Sequence, residues 1–386
     1  MTADANSGSL SRDLRACLVI GLAACLADAT CEGLGLSGDS LAYGALIAAL
    51  VVRPDFSRWP LAIYPALLVL VGACLAIGVS AGHLLTPMPQ ELQISLVAAL
   101  MQLLGLLLPL KLRLLSPALA VAGVLPLLGT PSWGAWRDQM LAIALGLAIG
   151  TALQLAFTPE PPAAATNQRE EPSGIAPAAE LSVAARLRHG LRSPFFWRKL
   201  VMASLAYPIG LGLGALAPKY LYFGVVLLLN DSIGATLARV RDRMAGVSLG
   251  VLMPLLVFNT LGMSEVSIGL VMGGTAALVM ALQRQSYLRS ALISSGVAFI
   301  GYGPLVAWYI PNRWIDYLMG CGLALMVGVL LFPQSALRRF NQLRQQPDEP
   351  GSWAELTALL PAACEEARWL GLPRPQLPEQ ESRPAG

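Results

Sequence analysis

The sequence predicts an all-α polytopic membrane protein of about twelve transmembrane segments, built as two parallel six-helix repeats. Three observations predict it. The first is composition. Of 386 residues, 55% are hydrophobic and only 13% charged, with a mean hydropathy of +0.62. A soluble protein carries about 25% charged residues. A chain this apolar cannot cover its own surface with polar groups, so much of that surface must face lipid. The second is the form of the apolar runs. They are apolar all round and show no period of two, so they read as helices and not as barrel strands.

The third observation is internal duplication. Arg137 to Pro159 reads RDQMLAIALGLAIGTALQLAFTP, and Arg313 to Pro333 reads RWIDYLMGCGLALMVGVLLFP. Each begins with an arginine, reaches a glycine nine residues later (Gly146, Gly322), and runs apolar to a Phe and then a Pro. An apolar segment with a proline near its end precedes each arginine (Pro126, Pro304). Further upstream, each copy has a short apolar run ending in a polar knot, VVRPD at 51–55 and LLNDS at 228–232. The expected organisation is a first transmembrane repeat at 12–158, a cytoplasmic linker at 159–195, a second repeat at 196–333 and a cytoplasmic tail at 334–386.

In the first repeat the apolar segments fall at 14–34, 41–52, 61–85, 93–109, 114–128 and 139–157. In the second they fall at 200–217, 220–230, 244–261, 266–283, 289–308 and 314–332. Most reach or approach the ~20 residues that cross ~30 Å of hydrocarbon as a helix. The first reads as a retained helix and not as a signal peptide, because no small-residue cleavage site follows it. Segments 41–52 and 220–230 are short and occupy matching places. Paired short helices in corresponding repeat positions point to a transport site.

Basic residues set the orientation. With the N-terminus in the cytoplasm and strict alternation, 23 of the 26 Lys and Arg residues lie on the cytoplasmic side. Only Arg137, Lys219 and Arg313 lie outside. Both termini and the linker are then cytoplasmic in a multi-pass protein of the inner (plasma) membrane. The linker is rich in Pro, Ala and Glu at first, which predicts disorder. It then turns basic (RLRHGLR, 186–192) and reads as a juxtamembrane segment at the anionic leaflet. In the tail, Ser352 to Leu370 carries Trp353, Leu356, Leu360, Ala363 and Ala367 on one side of a helix, which Pro361 is expected to interrupt.

No enzyme constellation is present, and no cofactor is expected. There is no GxxxxGK[ST] motif, and the only lysines are Lys111, Lys199 and Lys219. The two histidines, His83 and His189, have no metal-ligand spacing. The glycines at Gly146/Gly150, Gly246/Gly250 and Gly269/Gly273 have GxxxG spacing and serve close helix packing, as do those of the Gly210-Leu-Gly212-Leu-Gly214 run.

The candidate pathway residues are charged. Arg53 and Asp231 lie in the two knots at the ends of the short segments. Arg137 and Arg313 begin equivalent helices on the outer side, where two guanidiniums would attract or release an anion. The plain reading of that pair is interfacial anchoring beside Trp136 and Trp314. Arg239, Arg241 and Arg243 form a cytoplasmic cluster that reads first as a topology signal and second as a funnel for anions. Asp28 and Glu32 share one face of the first segment and are candidates for carrying a proton, since an intramembrane carboxylate is costly and therefore functional by default.

The run NDSIGATLARVRDRMAGVSLG (230–250), followed by RWIDYLMGCGLALMVGVLLFP, resembles the FUSC family, the fusaric acid resistance and aromatic acid exporter group. In that pattern a small-residue, Gly-Thr and Arg-rich turn leads into a helix start, here Gly234, Thr236, Arg239, Arg243 and Gly246. The large cytoplasmic domain that many members carry between the halves is replaced by a short linker. The resemblance implies efflux of small organic, often aromatic, carboxylates, with a periplasmic membrane-fusion protein as partner. Energy would come from a proton gradient or the substrate's own gradient. The rival expectation is a non-transporting scaffold or assembly subunit of an efflux complex. The remaining expected partners are the lipid bilayer and further copies of the chain, with no nucleic acid.

Overall fold

A computed structural model describes residues 2–36, 39–57, 60, 63–109, 115–158, 183–215, 217–302, 306–330, 335–345 and 352–377. Among these residues the chain is helical throughout, with no strand. The first half contains α1 (Thr2–Gly33), α2 (Asp39–Val51), α3 (Ile63–Leu84), α4 (Gln90–Leu107), α5 (Ser116–Val124) and α6 (Trp133–Phe157). A basic helix, α7 (Val183–Arg192), precedes the second half. That half contains α8 (Pro194–Gly212), α9 (Lys219–Leu228), α10 (Ile233–Gly250), α11 (Leu252–Leu261), α12 (Glu265–Ala281), α13 (Leu288–Tyr302) and α14 (Val306–Leu330). The tail adds α15 (Ala336–Arg344) and α16 (Ser352–Trp369). Among the described residues, six stretches are long and apolar enough to cross a membrane: Ser11–Gly33, Ile63–Leu84, Gln90–Leu107, Trp133–Phe157, Ile233–Leu261 and Ile310–Leu330. Four shorter apolar helices accompany them.

Each expected apolar segment falls on a helix, but three boundaries move. The arginine row 239–243 was expected in a turn, with its helix starting at 244. The structure starts α10 at Ile233 instead. Ser232 caps it, accepting a hydrogen bond from the Ala235 amide at 3.2 Å, and the following Ala, Leu, Arg and Met residues are good helix formers. Arg313 was expected to open its helix, yet α14 begins at Val306 and carries Pro311 inside it. Helix persists through the proline because non-helical backbone among apolar neighbours would leave more groups unsatisfied. The expected interruption of the tail helix is also absent, as α16 runs through Pro361. Pro361 is exposed, so water can take the one carbonyl its ring leaves free, and Ala362 and Ala363 favour continuation.

Packing follows the small residues. Gly21 of α1 faces Gly269 and Gly273 of α12, where an added methyl at position 21 would lie 2.7 Å from the Gly269 oxygen. Gly146 and Gly150 of α6 press on the Gly44 and Ala48 backbone of α2. Gly246 and Gly250 of α10 meet Ser290 and Ala291 of α13. These contacts fit the expected role of the GxxxG pairs. Gly212 and Gly214 instead have open space around them, and Gly214 ends the turn after α8 at φ +70°. There the glycine supplies a left-handed residue and not a packing surface.

The two halves are packed through one another. α1 lies along α12, and α8 lies along α4, where the Ser95 hydroxyl donates to the Ser204 carbonyl at 2.6 Å. α2 packs on α6, and α9 packs on α14. α9 also reaches α5, through the Tyr222 hydroxyl bonded to the Ala120 carbonyl at 2.9 Å.

Candidate anion site around a short helix

The site is organised by α9, whose ten residues are about half the ~20 that span the hydrocarbon as a helix. Each of its ends is held by a buried charged side chain. At the N-terminal end the buried carboxylate of Asp316, on α14, accepts from the Ala217 amide at 2.8 Å. At the C-terminal end the buried guanidinium of Arg198, on α8, donates to the Asn230 carbonyl and, at 3.3 Å, to the Asp231 carbonyl. A third contact of Arg198 reaches the Gly328 carbonyl at 3.5 Å. An anion at the start of a helix and a cation at its end complement the helix dipole, and such placement is worth up to ~2 kcal/mol per end in partly buried sites.

Held this way, α9 presents Tyr220 to the interior. Tyr220 stacks on Tyr317 of α14 with ring centroids 5.0 Å apart and planes 30° from parallel. Close approach of the two helices permits this, since a methyl added at Gly224 would come within 3.0 Å of the Gly320 backbone. Both tyrosines are buried.

Arg243 of α10 completes the cluster. Its guanidinium lies over the Tyr317 ring, 5.6 Å from the centroid. It donates to the Tyr317 hydroxyl at 3.3 Å and to the Ser290 hydroxyl of α13 at 3.4 Å. Arg243 is half-buried, and among the described residues it has no carboxylate partner. A desolvated cation held only by neutral groups is costly, and a bound carboxylate would offset that cost with a charge-assisted, bidentate bond. Tyr220 and the Arg243 guanidinium already lie against the buried Tyr317 ring, so an aromatic ring stacking there would displace one of them.

The other expected site residues are placed as follows. Arg53 is half-buried; its amide donates to Gln154 Oε1 at 3.2 Å, and its side chain bonds the Ser57 hydroxyl. In the same loop, burial pushes the Asp55 carboxyl upward, but bonds from the Ser57 amide and hydroxyl and the charge of Arg53 hold it below the usual carboxylate range. Asp231 is exposed, and its amide donates to Asn230 Oδ1. These bonds of Arg53 and of Asp231 share no partner. Arg137 is exposed and paired with Asp138 at 2.9 Å. Arg313 lies within α14, and its side chain is outside the described residues. Arg239 is exposed on α10, and Arg241 pairs with Asp242 and with Glu365 of the tail. Asp28 is buried on α1 with Oδ1 lacking a hydrogen-bond partner, near the charges of Glu32 and Glu265. Glu32 is exposed.

Of those whose side chains are described, only Arg243 joins the tyrosine cluster. Arg198, Asp316, Tyr220, Tyr317 and Ser290 were not anticipated. Asp316 carried a readable signal, a lone carboxylate inside the apolar run RWIDYLMG.

Residues 205–327 match the family model described as fusaric acid resistance protein-like. This stretch belongs to the FUSC family. The match spans the C-terminal part of α8, α9 to α13 and most of α14, so every residue of the cluster except Arg198 falls inside it. The FUSC family points to a membrane transport or efflux role for a multi-pass protein. No curated protein and no solved structure matches the chain.

Proposed function

We propose that the chain exports small organic anions, aromatic carboxylates above all, across the inner membrane. The observation that carries this reading is Arg243: a half-buried guanidinium among stacked tyrosines with no carboxylate partner among the described residues. The carboxylate would sit on Arg243 and Ser290. Arg137 and Arg313 would act at the outer mouth, and Arg53, Asp231 and Arg239 along the inner approach. Asp28, buried with an unpartnered oxygen, would carry the coupling proton, with Glu32 beside it.

The reading takes the chain to cross the membrane twelve times as two six-helix repeats, at 12–158 and 196–333, with both termini cytoplasmic. The reciprocal packing of α1 on α12 and α8 on α4 supports this, as does the pairing of α2 with α6 and α9 with α14. The 23 basic residues assigned inside against three outside support the orientation. A periplasmic membrane-fusion protein is the expected partner.

The test is efflux of a preloaded aromatic acid from cells with matched protein levels. Arg243→Gln should cut export at least tenfold at unchanged membrane abundance, about the loss of one charge-assisted contact. Full export by Arg243→Gln would remove the anion reading. No export by the native chain would favour the scaffold.

A further inference from the structure

The basic helix α7 packs on both α4 and α8. Gly190 seats it, since an added methyl there would lie 2.5 Å from Leu106 Cδ2 in the last turn of α4. Arg188 and Arg192 stand two residues to either side of that glycine. Two residues are about 200° of helix rotation, so both arginines project from the face opposite the seat. Both are exposed, and neither has a carboxylate partner among the described residues. The sequence has no acidic residue between Glu180 and Asp231.

The surface beside α7 is apolar. α4 is long and apolar enough to cross a membrane, and its Leu100, Leu103 and Leu107 are exposed at helical spacing. Leu107 adjoins the leucine that seats Gly190. On α8, Trp197, Val201 and Leu205 are exposed at intervals of four residues and share one face. Trp197 ends that stripe, and its indole N–H donates to the Leu191 carbonyl of α7 at 2.7 Å. The arginine face of α7 therefore stands where two exposed apolar stripes end, beside an indole of the kind found at headgroup level.

We propose that α7, with the adjoining ends of α4 and α8, is a binding site for one anionic phospholipid. Arg188 and Arg192 hold the headgroup phosphate through charge-assisted bonds. An acyl chain lies against the exposed apolar side chains. A basic amphipathic helix in the plane of the interface binds by these two terms together, apolar area and attraction to anionic headgroups. A free anion would use only the arginines and leave the apolar stripes bare. A second copy of the chain would bring its own arginines against these, and α7 has no acid to receive them. The proposal does not depend on Arg243 or on what the chain transports.

The test counts lipids on the purified native protein by native mass spectrometry. The probes are phosphatidylglycerol and phosphatidylcholine with the same acyl chains, and inorganic phosphate in excess as competitor. The native chain should retain one tightly held phosphatidylglycerol and prefer it to phosphatidylcholine at least tenfold. Arg188→Gln with Arg192→Gln should bring that preference close to one. Arg284→Gln with Arg289→Gln removes two exposed arginines elsewhere and should change it by less than about twofold, since the charge lost is the same but lies off the site. Inorganic phosphate should not displace the lipid. The proposal is overturned if the α7 variant keeps the preference, or if the control pair loses as much of it. Displacement by inorganic phosphate would make this a free-anion site instead. A dimer that binds no phospholipid would give the face to a second copy.

Discussion

The two short helices α2 and α9, which the sequence sets at corresponding positions, are built differently. α2 is fastened by neutral groups. Its C-terminal end is held by Gln154 of α6, which accepts from the Arg53 amide and donates to the Ser57 carbonyl at 2.8 Å. Its flank is a seam of Gly44 and Ala48 against Gly146 and Gly150. α9 has the same kind of glycine seam, Gly224 against Gly320, but its ends are held by charges, Asp316 and Arg198. Beside it lie the stacked tyrosines and Arg243. The difference teaches that two short helices can share one packing solution while charge is concentrated around one of them. In α2 the glycine seam and one amide suffice. In α9 buried charges fix a helix that positions other side chains.

Buried charges make removal asymmetric, and the largest expected effect follows from that. Arg198→Met leaves the Asn230, Asp231 and Gly328 carbonyls without their donor. The loss should be about 3 kcal/mol. Gln154→Leu removes two neutral bonds at the end of α2 and should cost about 1–2 kcal/mol. Denaturant unfolding in detergent checks both, and equal losses would erase the distinction between the two helices.

The second effect is smaller and tests how α6 and α14 align. Sequence alone pairs Gly146 with Gly322. In the structure Gly320 meets α9, while Gly322 faces open space. The tryptophans Trp136 and Trp314 both bond a neighbouring helix, to the Gly72 carbonyl and the Ser248 hydroxyl. The interval from Trp to packing Gly is ten residues in α6 and six in α14. That difference of four is close to one helical turn, so both features stay on one face. Gly320→Val should cost about 1–3 kcal/mol by overpacking, and Gly322→Val close to nothing. The reverse order would restore the sequence-level pairing.

What the sequence revealed and what it hid have physical causes. Helices were legible because the apolar runs are long and Pro or Gly bound them. The three GxxxG pairs were legible because small residues at that spacing have one common use. The starts of α10 and α14 were not, because an arginine row and a proline both resemble helix boundaries until the cap at Ser232 or the apolar turn 307–310 is weighed. Arg243 was legible as a charge but not as a site. Its partners Tyr317 and Ser290 are far off in sequence, and no spacing joins residues that meet only through packing. Arg198 was hidden among the juxtamembrane basic residues, although it is buried.

The central claim is that the charged cluster around α9 holds the anion and the neutral seam around α2 does not. Calorimetric binding of an aromatic carboxylate to the purified native protein tests it, with Arg243→Gln and Arg53→Gln alongside. The account predicts that binding is lost with Arg243→Gln and kept within about twofold with Arg53→Gln, since Arg243 lies on the tyrosines with no carboxylate partner among the described residues. Binding that survives Arg243→Gln and fails with Arg53→Gln would contradict it.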